Sequence, residues 1–205
     1  MLAMLRRLFA AMYERVGKGS EDAGLREERR HLLAGADGAT IEIGAGTGLN
    51  VALYPDTVSR LVLTEPDRHM RARLTQRVEE ARPGTEVVDA PAEQLPFPEA
   101  TFDTAVVTLV LCSVPDQQDA LREIARVVKP GGKLLFLEHV RSDDAKVAKS
   151  QDRIRPVYNL FGCNPNRSTL AAIESSVFTV EDVRHGEVPK APKFERPMIV
   201  GTARR

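Results

Sequence analysis

Three alternating glycines, Gly44, Gly46 and Gly48, follow directly on a short β-rich run, ATIEIG, and precede residues expected to form a helix. Glycines in such a turn let a ligand approach the backbone closely. Open α/β sheets bind their ligands at the carboxyl ends of such strands. The segment GAGTGLN therefore predicts a nucleotide-type site at the end of the first strand, with an ordinary glycine-rich turn as the alternative.

The spacing of these glycines distinguishes between nucleotide ligands. The dinucleotide fingerprint G-x-G-x-x-G would need a third glycine where Leu49 stands, which disfavours a nicotinamide-dependent oxidoreductase. The Lys-Ser/Thr ending of a Walker loop is also missing. Carboxylates flank the loop instead, with Glu42 before it and Glu65 at the end of the second strand. They suit S-adenosylmethionine, which carries an ammonium and a sulfonium but no phosphate.

Glu65 stands where acids of nucleotide-binding folds accept hydrogen bonds from both ribose hydroxyls. We therefore predict that it holds the ribose, with a solvated acid at the strand end as the alternative. Pro66, which follows it, stops the strand.

Few other side chains could take part in acid–base or thiol chemistry. His139 ends the fifth predicted strand, where the site should open, and histidine titrates near neutrality. We predict it as the catalytic residue, the alternative being a strand-end histidine bonded to a loop carbonyl. Cys112 and Cys163 are each either small buried residues or residues that line the pocket. Neither has metal-ligand spacing, and we expect no metal.

The length, the charge and the cysteine count of the chain limit the classes of function. Its 205 residues suit one domain with a substantial core. Lysine plus arginine equals aspartate plus glutamate, 29 each, so net charge gives no reason to expect a nucleic-acid partner. Two cysteines form no disulfide framework, and we expect a cytoplasmic location. No apolar run approaches the roughly 20 residues that cross a bilayer.

Strands and helices alternate across the middle of the chain, and this pattern predicts a parallel sheet covered on both faces. We divide the single domain into N-terminal helices (1–37), a core (38–140) and acceptor-side helices with a final strand pair (141–205). A loop is predicted at 17–24. The expected fold is α/β and Rossmann-like, doubly wound, with a seven-stranded, mostly parallel sheet whose last strand is reversed.

Four ordered segments resemble the motifs of class I S-adenosylmethionine-dependent methyltransferases: IEIGAGTG, LTEP, AEQLPFPEATFD and LREIARVVKPGGKLLFLEH. The likeness is to the methyltransferase type 11 group, which includes ubiquinone/menaquinone C-methyltransferases, and it covers roughly residues 38–140. A narrower resemblance, in GTGLNVALYP, TLVLCSV, EHV and FGCNPNRSTL, is to methyltransferase-like proteins that methylate small alkyl thiols. It implies transfer of a methyl group to a small-molecule acceptor, such as a thiol, a phenol or a lipid- or quinone-like compound.

The resemblance also implies roles for individual residues. Pro66 would lie beside the adenine, and Thr108, at the end of the fourth strand, would face the cofactor. Pro91 replaces the aspartate that contacts the adenine amino group in many relatives, so this contact would pass to the backbone around Ala92 and to Glu93. The methionine moiety would be lined by Glu42, Gly44, Ala45, Gly46 and Gly48.

The N-terminal helix is predicted to form a lid over the cofactor. Relatives place a tyrosine in this helix against the cofactor's carboxylate, and Tyr13 would take that role. Arg6 and Arg7 stand beside an apolar stripe, so a helix lying on a membrane surface is the alternative.

Methyl transfer from a sulfonium is an in-line displacement, in which the protein mainly orients the acceptor and excludes water. A general base is needed only when the acceptor must lose a proton. Because Pro91 departs from the family pattern, a catalytically degenerate, S-adenosylmethionine-binding regulatory domain is the alternative. The segment LVLCSVP, in place of an Asn-Pro-Pro-Tyr type segment, disfavours methylation of nucleic-acid bases or amides.

Overall fold

The structure, a computed structural model, describes residues 14–159 and 162–205. Tyr13 and most of the predicted N-terminal helix lie outside the described residues. Within these residues, no helix has both the length and the apolar character that a bilayer-spanning segment needs.

Seven strands form a single sheet in the order β3-β2-β1-β4-β5-β7-β6. Strands β1 to β5 pair in parallel with their neighbours, whereas β7 runs antiparallel to both β5 and β6. The predicted sheet with a reversed last strand is confirmed. The strands are β1 (Gly38–Ile43), β2 (Val58–Thr64), β3 (Glu86–Val88), β4 (Phe102–Thr108), β5 (Val128–His139), β6 (Thr179–Glu187) and β7 (Pro197–Arg204).

Helices cover both faces of the sheet, as the doubly wound prediction requires. One buried cluster includes Leu121 and Ile173, and the other includes Leu33 and Leu74. The order of connections reverses between β1 and β4, and ligands of such sheets bind at this switch point. The helices are α1 (Arg26–Leu33), α2 (Arg68–Ala81), α3 (Gln117–Val127), α4 (Ala145–Tyr158) and α5 (Thr169–Glu174).

The predicted loop at 17–24 is wrong. Residues 14–20 are helical, and a π-helical turn, Glu21–Leu25, leads directly into α1. The helix is kinked at Gly24, which has a φ of 132°. Glycine adopts such a positive φ more readily than other residues do. An ion pair between Lys18 and Asp22, one turn apart, adds to the helical contacts.

The glycine-rich loop is not followed by the α-helix that the sequence predicted. Only a 3₁₀ turn, Val51–Leu53, comes after it. Pro55 disfavours helical backbone at the preceding residue, and Tyr54 is extended, with φ −66° and ψ 132°. The loop therefore offers no helix N-terminus to a phosphate, which agrees with a ligand that has none.

Candidate functional site

The three glycines of the loop have different surroundings. A Cβ on Gly44 would lie 2.8 Å from Val110 Cγ2, and one on Gly48 would lie 2.7 Å from Leu74 Cδ1. Close packing therefore requires glycine at both positions. Gly46 has a φ of 59°, and apart from Gly46 and its two chain neighbours no described residue has an atom within 4 Å of a Cβ built there. The space beside Gly46 is where a ligand can approach the backbone.

Glu65 ties the end of β2 to this loop. Its Oε2 accepts a 2.8 Å hydrogen bond from the Gly46 backbone N–H, and its Oε1 accepts one of 2.8 Å from Asp67 N–H. Burial raises the pKa of Glu65, although these two backbone hydrogen bonds oppose the shift. Each oxygen retains a lone pair that can accept from a ligand hydroxyl. Pro66, which directly follows Glu65 at this end of β2, is exposed.

Glu42 is almost fully buried under the loop, with 1% of its surface exposed. Its Oε1 accepts a 2.8 Å hydrogen bond from Asn50 Nδ2, and its Oε2 accepts one of 2.6 Å from the Tyr54 hydroxyl. Burial raises the pKa of Glu42 to about 7, and the two hydrogen bonds oppose the rise. Both oxygens thus already have partners within the protein. The predicted contact of Glu42 with a methionine moiety stays a prediction.

Arg29 of α1 enters the same buried network. Its Nη1 donates to Thr108 Oγ1 at 2.9 Å and to Asn50 Oδ1 at 3.2 Å, while its Nε donates to Glu21 at 3.1 Å. Thr108 Oγ1 also accepts from Asn50 Nδ2 at 3.0 Å. The network joins α1 to the loop and to the carboxyl end of β4. It leaves the Thr108 hydroxyl proton as a donor toward a ligand.

The sequence analysis missed Arg29, although a signal for it was present. Leu25, Leu32 and Leu33 form the buried face of this helical segment, and Arg29 lies on that face one turn after Leu25. A charged side chain on the apolar stripe of a helix indicates a buried polar partner.

The predicted adenine region holds a buried carboxylate oxygen without a partner. Pro91 is exposed and Ala92 is buried, while Glu93 Oε1 is enclosed without a hydrogen bond from any described residue. Buried polar atoms rarely stay unpaired, so Glu93 is suited to accept from a ligand amino group. Asp89, at the end of β3, instead forms an ion pair of 2.6 Å with Arg71.

The first described residues lie close to the glycine-rich loop. Glu14 pairs with Arg77 Nη2 at 3.0 Å, and Arg77 Cδ is 3.4 Å from the position of a Cβ on Gly48. The first described residue of this helix therefore lies beside the glycine-rich loop. This placement is compatible with the predicted lid, which stays a prediction because residues 1–13 lie outside the described part.

A buried carboxylate shapes the loop after β4. Leu109 has a φ of 61°, and Glu138 then accepts hydrogen bonds from three successive N–H groups. Its Oε1 accepts from Val110 at 2.9 Å and Leu111 at 3.0 Å, and its Oε2 accepts from Cys112 at 3.3 Å. Burial raises the pKa of Glu138 to about 7. The sequence analysis missed this residue, although an acid within the apolar run KLLFLEHV was a signal.

The structure brings His139 together with both cysteines. The ligand atoms of Cys112, His139 and Cys163 all lie within 4.8 Å of one another, and the two sulfurs are 3.8 Å apart. His139 is 8% exposed, and neither of its ring nitrogens has a hydrogen-bond partner among the described residues. Among the described residues, no loop carbonyl accepts a hydrogen bond from the ring, contrary to the alternative.

Cys163 and His139 shift each other's pKa values in this cluster. Hydrogen bonding from Cys112, with a further contribution from His139, lowers the pKa of Cys163 to about 5 although burial opposes it. Burial alone would lower the pKa of His139, but Cys163 raises it and the net shift is upward. The cluster can thus hold and exchange a proton at the carboxyl end of β5.

Gln151 of α4 fixes the segments around this cluster. Its Nε2 lies within hydrogen-bond distance of three carbonyl oxygens, Val140 O at 3.0 Å, Pro165 O at 2.9 Å and Phe194 O at 3.1 Å, which share its two N–H groups. Its Oε1 accepts from Ser142 N–H at 2.9 Å. One fully buried side chain therefore holds three separate loops together on the predicted acceptor side.

Known proteins are similar to this chain over most of its length. A family model described as a methyltransferase domain matches residues 41–136. The human thiol S-methyltransferase TMT1A is 33% identical over 179 residues, covering 83% of this chain and 73% of the relative. The phosphatidylethanolamine N-methyltransferase of Cereibacter sphaeroides is 33% identical over 150 residues, covering 71% of each chain. A solved S-adenosylmethionine-dependent methyltransferase of Thermotoga maritima has the same fold, with a TM-score of 0.72, 21% identity and coverage of 100% and 99% of the two chains.

Proposed function

Because this chain belongs to the class I S-adenosylmethionine-dependent methyltransferases, we propose that it transfers the methyl group to the sulfur of a small thiol. The observation that carries this proposal is the extent of the likeness to thiol S-methyltransferases. It covers 83% of the chain, more than the cofactor-binding core at 38–140 could supply, and so includes part of the acceptor side. The sequence alternative of a degenerate regulatory domain gains no support from relatives that are named as enzymes.

The residues at the carboxyl edge of the sheet fit the cofactor. The open space at Gly46 can take the methionine moiety, Glu65 can accept from the ribose hydroxyls, and Glu93 can accept from the adenine amino group. When bound, S-adenosylmethionine supplies a methyl group on an activated leaving group. The residues proposed to hold it are Tyr13, Glu42, Gly44, Ala45, Gly46, Gly48, Glu65, Pro66, Pro91, Ala92, Glu93 and Thr108.

A thiol acceptor must lose its proton as its sulfur attacks, and His139 is the proposed proton acceptor. Its neutral ring takes the proton, and the neighbouring Cys163 thiolate stabilises the imidazolium that results. This is the same interaction that raises the pKa of His139. Helical residues 14–20, together with the segment before them, would exclude water from the site during transfer.

The acceptor is identified with the purified full chain, isotope-labelled S-adenosylmethionine and four probes: a small alkyl thiol, a phenol, a quinol and phosphatidylethanolamine vesicles. We expect labelled thioether from the thiol and no product from the other probes. His139→Gln should lower kcat by about 100-fold or more while leaving cofactor affinity unchanged. His185→Gln, at an exposed position of β6, is the matched control. Turnover restricted to the phenol, quinol or lipid would contradict the proposal, as would full activity of His139→Gln.

A further inference from the structure

We propose that Cys112, His139 and Cys163 form a binding site for one Zn²⁺ ion. These residues come from the loop after β4, the end of β5 and the segment between α4 and α5. Their ligand atoms lie within 4.8 Å of one another. Two cysteine sulfurs and one imidazole nitrogen form a ligand set that proteins use for zinc, with a fourth position left to another ligand.

The distances between the ligand atoms suit a tetrahedral zinc ion. With Zn–S bonds of about 2.3 Å, two sulfurs on one tetrahedral zinc lie about 3.8 Å apart. The Sγ atoms of Cys112 and Cys163 are 3.8 Å apart, and the His139 nitrogen lies within 4.8 Å of both. On a tetrahedral zinc the nitrogen would lie about 3.5 Å from each sulfur, so the separations would have to shorten by at most about 1.3 Å.

The unpaired imidazole of His139 is the independent observation that points to a ligand. Both ring nitrogens are buried and lack a hydrogen-bond partner among the described residues, although buried polar groups are almost always paired. A disulfide between Cys112 and Cys163 would leave these nitrogens unpaired. Coordination of a metal would satisfy one of them. Thiolate and imidazole ligands select zinc over magnesium or calcium, which prefer oxygen.

The backbone around the three ligands is already fixed by hydrogen bonds. The Cys112 N–H donates to Glu138, and the Cys112 carbonyl accepts from Asn164 N–H at 2.9 Å. The His139 carbonyl accepts from the Thr169 hydroxyl at 3.3 Å. Such supporting hydrogen bonds orient the ligands of metal sites.

A half-buried carboxylate, that of Glu195, lies near the three ligand atoms but outside their group. Glu195 acts electrostatically on both His139 and Cys163, and its Oε2 accepts from the Tyr158 hydroxyl at 3.3 Å. A metal-bound His139 has no free lone pair for a proton. Zinc binding and the role of His139 as a proton acceptor therefore describe two different states of this cluster.

The experiment titrates the reduced, chelator-treated full chain with Co²⁺ as a spectroscopic probe, after both thiols have been counted. We expect one equivalent to produce the absorption of a tetrahedral cobalt thiolate and one equivalent of Zn²⁺ to remove it. Cys112→Ser, Cys163→Ser and His139→Gln should each weaken Co²⁺ binding by more than about 10-fold. His185→Gln should bind like the original protein.

Melting curves and S-adenosylmethionine binding show whether each variant is folded, without reference to turnover. This readout separates the metal proposal from the proposed thiol acceptor. A reduced, folded protein that gives no thiolate absorption with Co²⁺ would overturn the zinc site. Folded cysteine variants that bind Co²⁺ as tightly as the original protein would overturn it as well.

Discussion

Arg29 Nη1 lies 2.9 Å from Thr108 Oγ1, so a cation on the N-terminal helix α1 is fixed to the carboxyl end of the fourth strand. The same guanidinium lies close enough to Glu42 to lower the pKa of that carboxyl. This contact makes the position of α1 depend on the site itself. It joins α1 to the buried residues beneath the glycine-rich loop, Asn50 and Thr108.

Replacing Arg29 should therefore destabilise the fold markedly. Arg29→Ala removes the buried donor to Thr108 Oγ1 and Asn50 Oδ1 and the positive charge near Glu42, and we expect the free energy of unfolding to fall by about 3 kcal/mol. Urea unfolding measures it. Arg30→Ala, on the exposed side of the same helix, should stay within about 0.5 kcal/mol of the original protein. Equal effects of the two substitutions would contradict the buried network.

Two glycines of the loop should respond differently to alanine. Gly46→Ala places a methyl group in the open ligand space, so cofactor affinity should fall by at least about 10-fold with only about 1–2 kcal/mol of backbone strain. Gly48→Ala collides with Leu74 and should mainly lower stability. Calorimetric binding and urea unfolding on both variants separate the two effects. Undiminished affinity of Gly46→Ala would show that the cofactor lies elsewhere.

The stability of the protein should depend on pH through Glu42. Burial raises the pKa of this carboxyl to about 7 in the folded state, above its ordinary value of 4.5. The folded protein then binds more protons than the unfolded chain between these values, so stability falls as pH rises from about 4.5 to 7. The full difference corresponds to about 3 kcal/mol.

Glu42→Gln keeps the shape of the side chain and removes this titration. Relative to the original protein, the variant should become more stable as pH rises from 5 to 8, because only the original protein has to bury a carboxylate. Urea unfolding at the two pH values measures the change, and Glu138 contributes equally to both proteins. A stability difference that is independent of pH, or that shifts the other way, would count against this description of Glu42.

Gln151 should be one of the most sensitive polar positions of the acceptor side. Gln151→Ala removes partners from three carbonyls and one N–H, and we expect the free energy of unfolding to fall by more than about 3 kcal/mol. Gln76→Ala, on an exposed face of α2, provides the control and should change little. If Gln151→Ala unfolds at the same urea concentration as the control, the hydrogen bonds of Gln151 do not stabilise these loops.

The sequence predicted the sheet because its central strands β1, β2, β4 and β5 contain local apolar runs. The positions of Glu65 and the glycines could be predicted as well. Each lies at or directly after the end of a predicted strand, and the carboxyl ends of β1 and β2 are neighbours. The meeting of His139 with Cys112 and Cys163 could not be predicted in this way. It depends on where the segment after α4 folds back, and nothing in their spacing signals it.

Contacts between residues far apart in the sequence explain the other features that the sequence did not predict. Arg29 and Thr108 are 79 residues apart, and only the packing of α1 brings them together. The helical path through 17–24 also depends on a single glycine that takes a positive φ, where composition alone favours a loop.

The central claim, a cofactor site that binds S-adenosylmethionine through Glu65, is tested most directly by calorimetric titration with S-adenosylmethionine and, separately, NADH. We expect the original protein to bind one S-adenosylmethionine and no NADH, and Glu65→Ala to bind it at least about 10-fold more weakly through loss of charge-assisted hydrogen bonds. Glu86→Ala, an exposed acid of β3, should bind like the original protein. Absence of S-adenosylmethionine binding in a folded sample, or unchanged affinity of Glu65→Ala, would contradict the claim.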